Sequence, residues 1–218
     1  MTAVQREPRD QGMGLVEVIV AMGLFGLLTT VLLGFALGTG RVADDTRMLS
    51  GVNEESRLAM ERFVRELRQA REITAYTRPA SPGEEVAFTF WTDFDGDGTK
   101  DLGVTDPEVL TYRWDPDDNR LTLTANDADG SALTRPVLGA NVSRFDIELY
   151  SSNWEYDANG DGMTSWAELD TAVGGADGLP QAADLKYVDL VTVTMTVLDG
   201  PHRQTYRTEV DLRNRNQN

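Results

Sequence analysis

The sequence predicts an α+β fold, in which a long N-terminal helix packs on an antiparallel β-sheet domain that carries acidic loops. Three observations predict it. Residues 12–37, "GMGLVEVIVAMGLFGLLTTVLLGFAL", are an apolar run with one ionisable side chain, Glu17. Apolar residues then recur at three- and four-residue steps to about Ile73, the period of a helix with one buried face. After residue 80 the period becomes two, and strand-forming segments alternate with turns rich in Asp and Gly. Helix first and strands afterwards is the order of an α+β chain.

The bulk composition narrows the function. The chain has 218 residues, enough for one or two domains with a core. Its 36 Asp and Glu against 20 Lys and Arg give a formal net charge of −16, which argues against direct nucleic-acid contact and for a self-repelling or cation-binding surface. The absence of cysteine excludes disulfides, thiolate metal sites and thiol catalysis. A single histidine, His202, excludes multi-histidine metal sites. With no phosphate-cradling glycine loop and no nucleophile motif, no catalytic residues are predicted and the chain reads as a non-enzyme.

The elements follow in order. A polar leader, 1–12, carries Arg6 and Arg9 offset by Glu7 and Asp10. Residues 13–40 are long enough to span about 30 Å of hydrocarbon as a helix, so a single-pass membrane segment is expected there. The run is too long for a secretory signal peptide, whose apolar stretch is roughly 7–15 residues. A plain signal anchor satisfies the length but gives no reason for Glu17, because a carboxylate in a bilayer is costly and persists where it is paired and functional.

The amphipathic continuation is read over 41–75. Leu49, Val52, Ala59, Phe63, Leu67 and Ala70 form its apolar stripe, and Arg57–Glu61, Glu61–Arg65 and Arg62–Glu66 form opposite-charge pairs four residues apart. The β-rich domain is read over 80–218. "EVAFTFW" (85–91), "EVLTYRW" (108–114), "RLTLT" (120–124) and "SRFDIELY" (143–150) are its strands, and residues 188–215 form a hairpin turning at Asp199-Gly200. A bulge at Leu190–Val191 is expected, to bring Val191, Val193, Met195 and Val197 onto one face.

Residues 157–168, "DANGDGMTSWAE", match the EF-hand loop at every ligand position. Asp157, Asn159 and Asp161 offer side-chain oxygens, Met163 its carbonyl, Ser165 a direct or water-mediated contact and Glu168 a closing carboxylate, while Gly162 permits the sharp turn. Calcium requires such a set because it takes six to eight hard oxygens in a flexible shell. A second loop, 93–101, offers Asp93, Asp95, Asp97, the Thr99 carbonyl and Asp101, but its twelfth position is Val104, so the closing carboxylate is missing unless Asp106 or Glu108 folds back. Calcium is the expected cofactor, as a structural staple in a chain without disulfides. The alternatives are solvated Asp/Gly turns.

The N-terminal residues resemble the type IV pilin-like proteins, which include the pseudopilins of type II secretion. The resemblance rests on Gly12 ending a short polar leader, an apolar helix starting directly after it, and Glu17 falling fifth from Met13. It implies that a prepilin peptidase cuts between Gly12 and Met13 and methylates the new amine. It further implies that Glu17 neutralises the amino group of a neighbouring subunit's Met13 during filament assembly. The partners it implies are other pilin or pseudopilin subunits, the peptidase, the membrane and the secretion or pilus assembly machinery. The expected location is the inner membrane, single-pass, with the globular domain extracytoplasmic. "VDLRNR" and the block 88–114 are similar to the J-type minor pseudopilins (the GspJ/PilW group). The competing reading is a signal-anchored, calcium-binding surface domain that does not polymerise.

Overall fold

The computed structural model describes residues 14–79, 81, 83–100, 108–126, 132–139, 141–200 and 202–212. The chain divides into two compact units, Met1–Leu49 and Ser50–Asn218. Helix α1 (Leu15–Arg68) runs through the end of one unit into the start of the other.

In the first unit, Leu15–Thr39 is a 25-residue stretch of mean hydropathy 2.4 with none of it buried, long and apolar enough to cross a membrane. Its hydroxyls are satisfied inside the helix: Thr29 Oγ1 donates to the Phe25 carbonyl and Thr30 Oγ1 to the Gly26 carbonyl, both at 2.8 Å. That is how polar side chains avoid an unmet hydrogen bond in an apolar medium. The leader, 1–12, and Met13 lie outside the described residues.

In the second unit, α1 contributes residues 50–68 and buries Ser56, Ala59, Met60, Phe63 and Leu67, the three- and four-residue spacing of one helix face. Arg57 and Glu61 pair on its exposed side at 2.8 Å, and Arg62 pairs with the largely covered Glu66 at 2.7 Å. Strands β1 (Ala70–Thr77), β2 (Val86–Thr92), β3 (Val109–Asp115), β4 (Arg120–Asn126) and β5 (Ala132–Pro136) form an antiparallel meander in that spatial order. A second antiparallel sheet has the order β7-β6-β8-β9, from β6 (Asn141–Ser151), β7 (Thr164–Ser165), β8 (Leu190–Asp199) and β9 (His202–Asp211). Short helices α2 (Trp166–Leu169) and α3 (Ala182–Leu185) lie between β7 and β8.

Phe63 joins these parts. Its ring meets Phe88 (6.4 Å between centroids), Phe90 (6.2 Å) and Tyr112 (4.5 Å) of the first sheet and Phe145 (6.0 Å) of the second. The three closest contacts are edge-on, the arrangement the aromatic quadrupole favours. Polar bonds cross between the sheets as well: Trp114 Nε1 donates to the Val142 carbonyl and the Tyr76 hydroxyl to the Ile147 carbonyl, each at 2.7 Å. Burial raises the Tyr76 and Tyr112 phenols above their ordinary range, and Tyr112 also donates to Glu66, whose negative charge acts in the same direction.

Three expectations are corrected. The helix continues past residue 41 but not to 75: it ends at Arg68, and Ala70–Thr77 is strand β1. The compact domain accordingly begins at Ser50, not near residue 80, because α1 residues and β1 supply part of its core. No bulge occurs at Leu190–Val191, since Leu190 pairs with Asp211 and Val191 with Val210 in unbroken register. Both faces of β8 are covered, Thr192 and Thr196 being buried with Val191, Val193, Met195 and Val197, so no change of phase is required.

Candidate functional site

Glu17 lies in the first turn of α1. Gly14 N donates to its Oε2 at 3.1 Å, while the Gly14 carbonyl accepts from Glu17 N at 3.0 Å. A carboxylate there meets one of the backbone N–H groups left open at a helix start and complements the positive end of the helix dipole. Gly12 and Met13, the expected processing residues, lie outside the described residues. The apolar side chains on either side of Glu17, from Leu15 to Leu37, are exposed in the isolated chain, a surface that soluble monomers rarely present.

The two acidic loops share one backbone design. In 157–168, Asp157 accepts from Gly160 N through Oδ1 (2.7 Å) and from Gly162 N through Oδ2 (2.8 Å); Asn159 Oδ1 accepts from Asp161 N (2.8 Å) and Asp161 Oδ1 from Met163 N (2.9 Å). In 93–101 the same offsets recur: Asp93 Oδ1 with Gly96 N (2.7 Å), Asp93 Oδ2 with Gly98 N (3.1 Å), Asp95 Oδ1 with Asp97 N (3.0 Å) and Asp97 Oδ1 with Thr99 N (2.6 Å). The glycines are required by geometry, with φ of +76° and +90° at Gly160 and Gly162 and +81° and +79° at Gly96 and Gly98.

The loops close differently. Glu168, at the start of α2, reaches back across its loop: Oε1 accepts from Ala158 N (3.1 Å) and Asn159 N (3.2 Å), and Oε2 from Ser165 N (2.8 Å) and Ser165 Oγ (2.9 Å). The Gly162 amide holds Asp157 below the usual carboxylate range, and the Ser165 amide does the same for Glu168. Among the described residues, no ion pair involves Asp157, Asp161 or Glu168. Asn159 Nδ2 donates to Asp161 Oδ2 at 3.0 Å, so these two side chains face one another.

In 93–101 the closing carboxylate is Glu108, from the residue before β3, which the twelve-residue template does not reach. Asp93, Asp95 and Glu108 each place a carboxylate oxygen within 4.8 Å of the others, and they are the described residues that gather in this way. Glu108 is buried, with Oε2 accepting from Trp91 Nε1 and Oε1 from Phe94 N, both at 2.9 Å. Arg71 already supplies a positive charge to this site, pairing with Asp93 Oδ2 at 2.5 Å and lying 5.8 Å over the Trp91 ring. The Thr99 amide holds Asp97 below the usual carboxylate range. Asp101 lies outside the described residues.

The donor sets of both loops are all oxygen, which suits a hard cation. They fit it unequally. At 157–168 the carboxylates have backbone amides as their neighbours and, among the described residues, no side-chain cation paired with them, whereas at 93–101 an incoming ion competes with the Arg71 guanidinium for Asp93.

Comparison with known proteins bears on the N-terminal segment. Residues 8–33 match the family described as the prokaryotic N-terminal methylation motif. A search of curated proteins gives no match. Among solved structures, the chain is similar to one in the crystal structure of the GspK-GspI-GspJ complex from the enterotoxigenic Escherichia coli type 2 secretion system, at a TM-score of 0.41 and 11% identity over 73% of this chain and 96% of that one. The matched residues 8–33 contain Gly12, Met13 and Glu17 together with the start of the uncovered apolar helix, so the N-terminal segment is similar to the prokaryotic N-terminal methylation motif.

Proposed function

We propose that the chain is a minor pilin or pseudopilin, a structural subunit of a type II secretion pseudopilus or type IV pilus and not an enzyme. The observation that carries this reading is Glu17 in the first turn of an apolar helix with no cover of its own, inside the methylation motif. A prepilin peptidase cuts after Gly12 and methylates Met13, and the helix anchors the subunit in the inner membrane until it enters the filament. The J-type subunits are the group that residues 88–114 and the closing strand resemble.

The test is the intact mass and N-terminal peptide of the protein extracted from the membranes of its host. The expected chain begins at methylated Met13. A chain beginning at Met1 or Thr2 overturns the reading in favour of a signal-anchored surface domain, and one beginning after residue 37 makes it a secreted domain.

Calcium completes the proposal as a structural staple. At the millimolar calcium outside cells, loop sites with dissociation constants of about 10⁻⁴–10⁻³ M are filled, and binding stabilises the folded state by linkage. Glu168→Gln is expected to lower the melting temperature by several degrees in calcium and much less in excess chelator. Equal losses in the two conditions would assign Glu168 to loop geometry alone.

A further inference from the structure

A separate pair of carboxylates lies beyond the loops, and it is buried. Asp170 is 6% exposed and Asp184 0%. Asp184 Oδ1 accepts from Gln181 N (2.7 Å) and Leu185 N (3.1 Å), and its Oδ2 from Trp166 Nε1 (3.0 Å). Asp170 Oδ2 accepts from Gly178 N at 3.0 Å, whereas its Oδ1 is buried with no hydrogen-bond partner. Both side chains converge on Gly174: a Cβ placed there would stand 2.9 Å from Asp170 Oδ1 and 3.1 Å from Asp184 Oδ2. Any larger residue would fill the space that the two oxygens face.

Among the described residues, no ion pair reaches either carboxylate. Two buried like charges without a counter-charge cost several kcal/mol, and an orphaned buried acceptor is rare in native proteins. A positive species between the two oxygens removes both problems. We propose that Asp170 and Asp184 hold a hard cation of the calcium class over Gly174, at a site distinct from the two loops. Asp170 opens the π-helical turn Asp170–Gly174 directly after α2, and Asp184 belongs to α3, so the ion would tie the two helices together. The inference stands on the orphaned oxygen and the glycine space, independently of the pilin reading and of the loops.

The experiment counts calcium bound per chain by equilibrium dialysis of the full-length protein in detergent, with calcium chloride as the only added ligand. Asp170→Asn is expected to lose one calcium equivalent relative to wild type. In chelator it should melt at or above the wild-type temperature, because the Asn amide can donate to Asp184 Oδ2. Gly174→Ala, which keeps both carboxylates but fills the space, should lose the same equivalent. Glu168→Gln should lose a different one, so that failure of the loop reading and failure of this one are separable. Unchanged stoichiometry in a folded Asp170→Asn overturns the proposal. So does a wild-type chain that gains stability on acidification with no calcium bound here, since a shared proton then fills the role. If both variants unfold, terbium chloride titrated into Glu168→Gln/Asp95→Asn decides. Trp166 lies against Asp184, and a saturable tryptophan-sensitised emission at one ion per chain supports the site, whereas its absence rejects it.

Discussion

Phe63→Ala is expected to destabilise the second unit by about 3–5 kcal/mol, the cost of emptying a buried aromatic position. Phe63 is 2% exposed and contacts rings from both sheets, so no single neighbour can relax into the cavity without leaving the others. Domains of this size have about 5–15 kcal/mol in total, and the loss is therefore a large share of the whole. Leu58→Ala is the control on the same helix: Leu58 is 59% exposed, and its removal should stay within about 0.5 kcal/mol. Urea unfolding of the full-length protein, followed by tryptophan fluorescence, measures both. Similar midpoints for the two variants would mean that the helix is not part of the cooperative core.

The same residue shows what the sequence could convey about the fold. Phe63 and Leu67 fall on a helical stripe, and the stripe predicted a buried face correctly. It also led the helix too far. Ala70, Ile73 and Tyr76 are buried at three-residue intervals, which reads as helix, yet they lie on β1. Register shifts between Ala70 and Glu72 and between Ile73 and Ala75 stretch the strand period from two to three, and periodicity alone cannot distinguish that from a helix turn. Strand β5 left no alternating signal because Leu133, Thr134, Arg135 and Pro136 are all exposed on an edge. The alternation identified strands well but could not say which of two sheets each would join.

At the acidic loops, the twelve-residue spacing of 157–168 brought Glu168 back to the loop start as the template demands. The same template had no place for Glu108, which the sequence offers with Asp106 only as a carboxylate able to fold back, and which reaches Asp93 and Asp95 through the fold of the chain. Arg71 has no such signal, since it approaches Asp93 from β1, a strand whose spacing reads as helix. The Asp170–Asp184 pair has no spacing signature at all. It depends on a buried turn and on the absence of one side chain at Gly174.

Glu17→Ala should abolish incorporation into filaments while leaving the protein in the membrane. Two roles for this carboxylate make different forecasts. In the first it serves only its own helix, accepting from Gly14 N, a contribution of about 0.3–1 kcal/mol that assembly would scarcely register. In the second it meets the amine of a neighbouring subunit in an apolar surrounding, where a hydrogen bond to a charged group contributes about 1.5–3 kcal/mol. At 1.4 kcal/mol per factor of ten, its loss weakens each such contact by roughly ten- to a hundredfold, and a filament repeats the loss at every subunit affected. Removing a carboxylate from the apolar run also favours insertion, so membrane levels should hold or rise. Glu17→Gln separates the roles, because it keeps an acceptor for Gly14 N but not the charge. Sheared-filament and membrane fractions from cells carrying each variant give the readout. Incorporation lost in both variants and retained in Glu17→Asp identifies the charge as the assembly determinant. Normal incorporation of Glu17→Gln would confine Glu17 to capping its own helix.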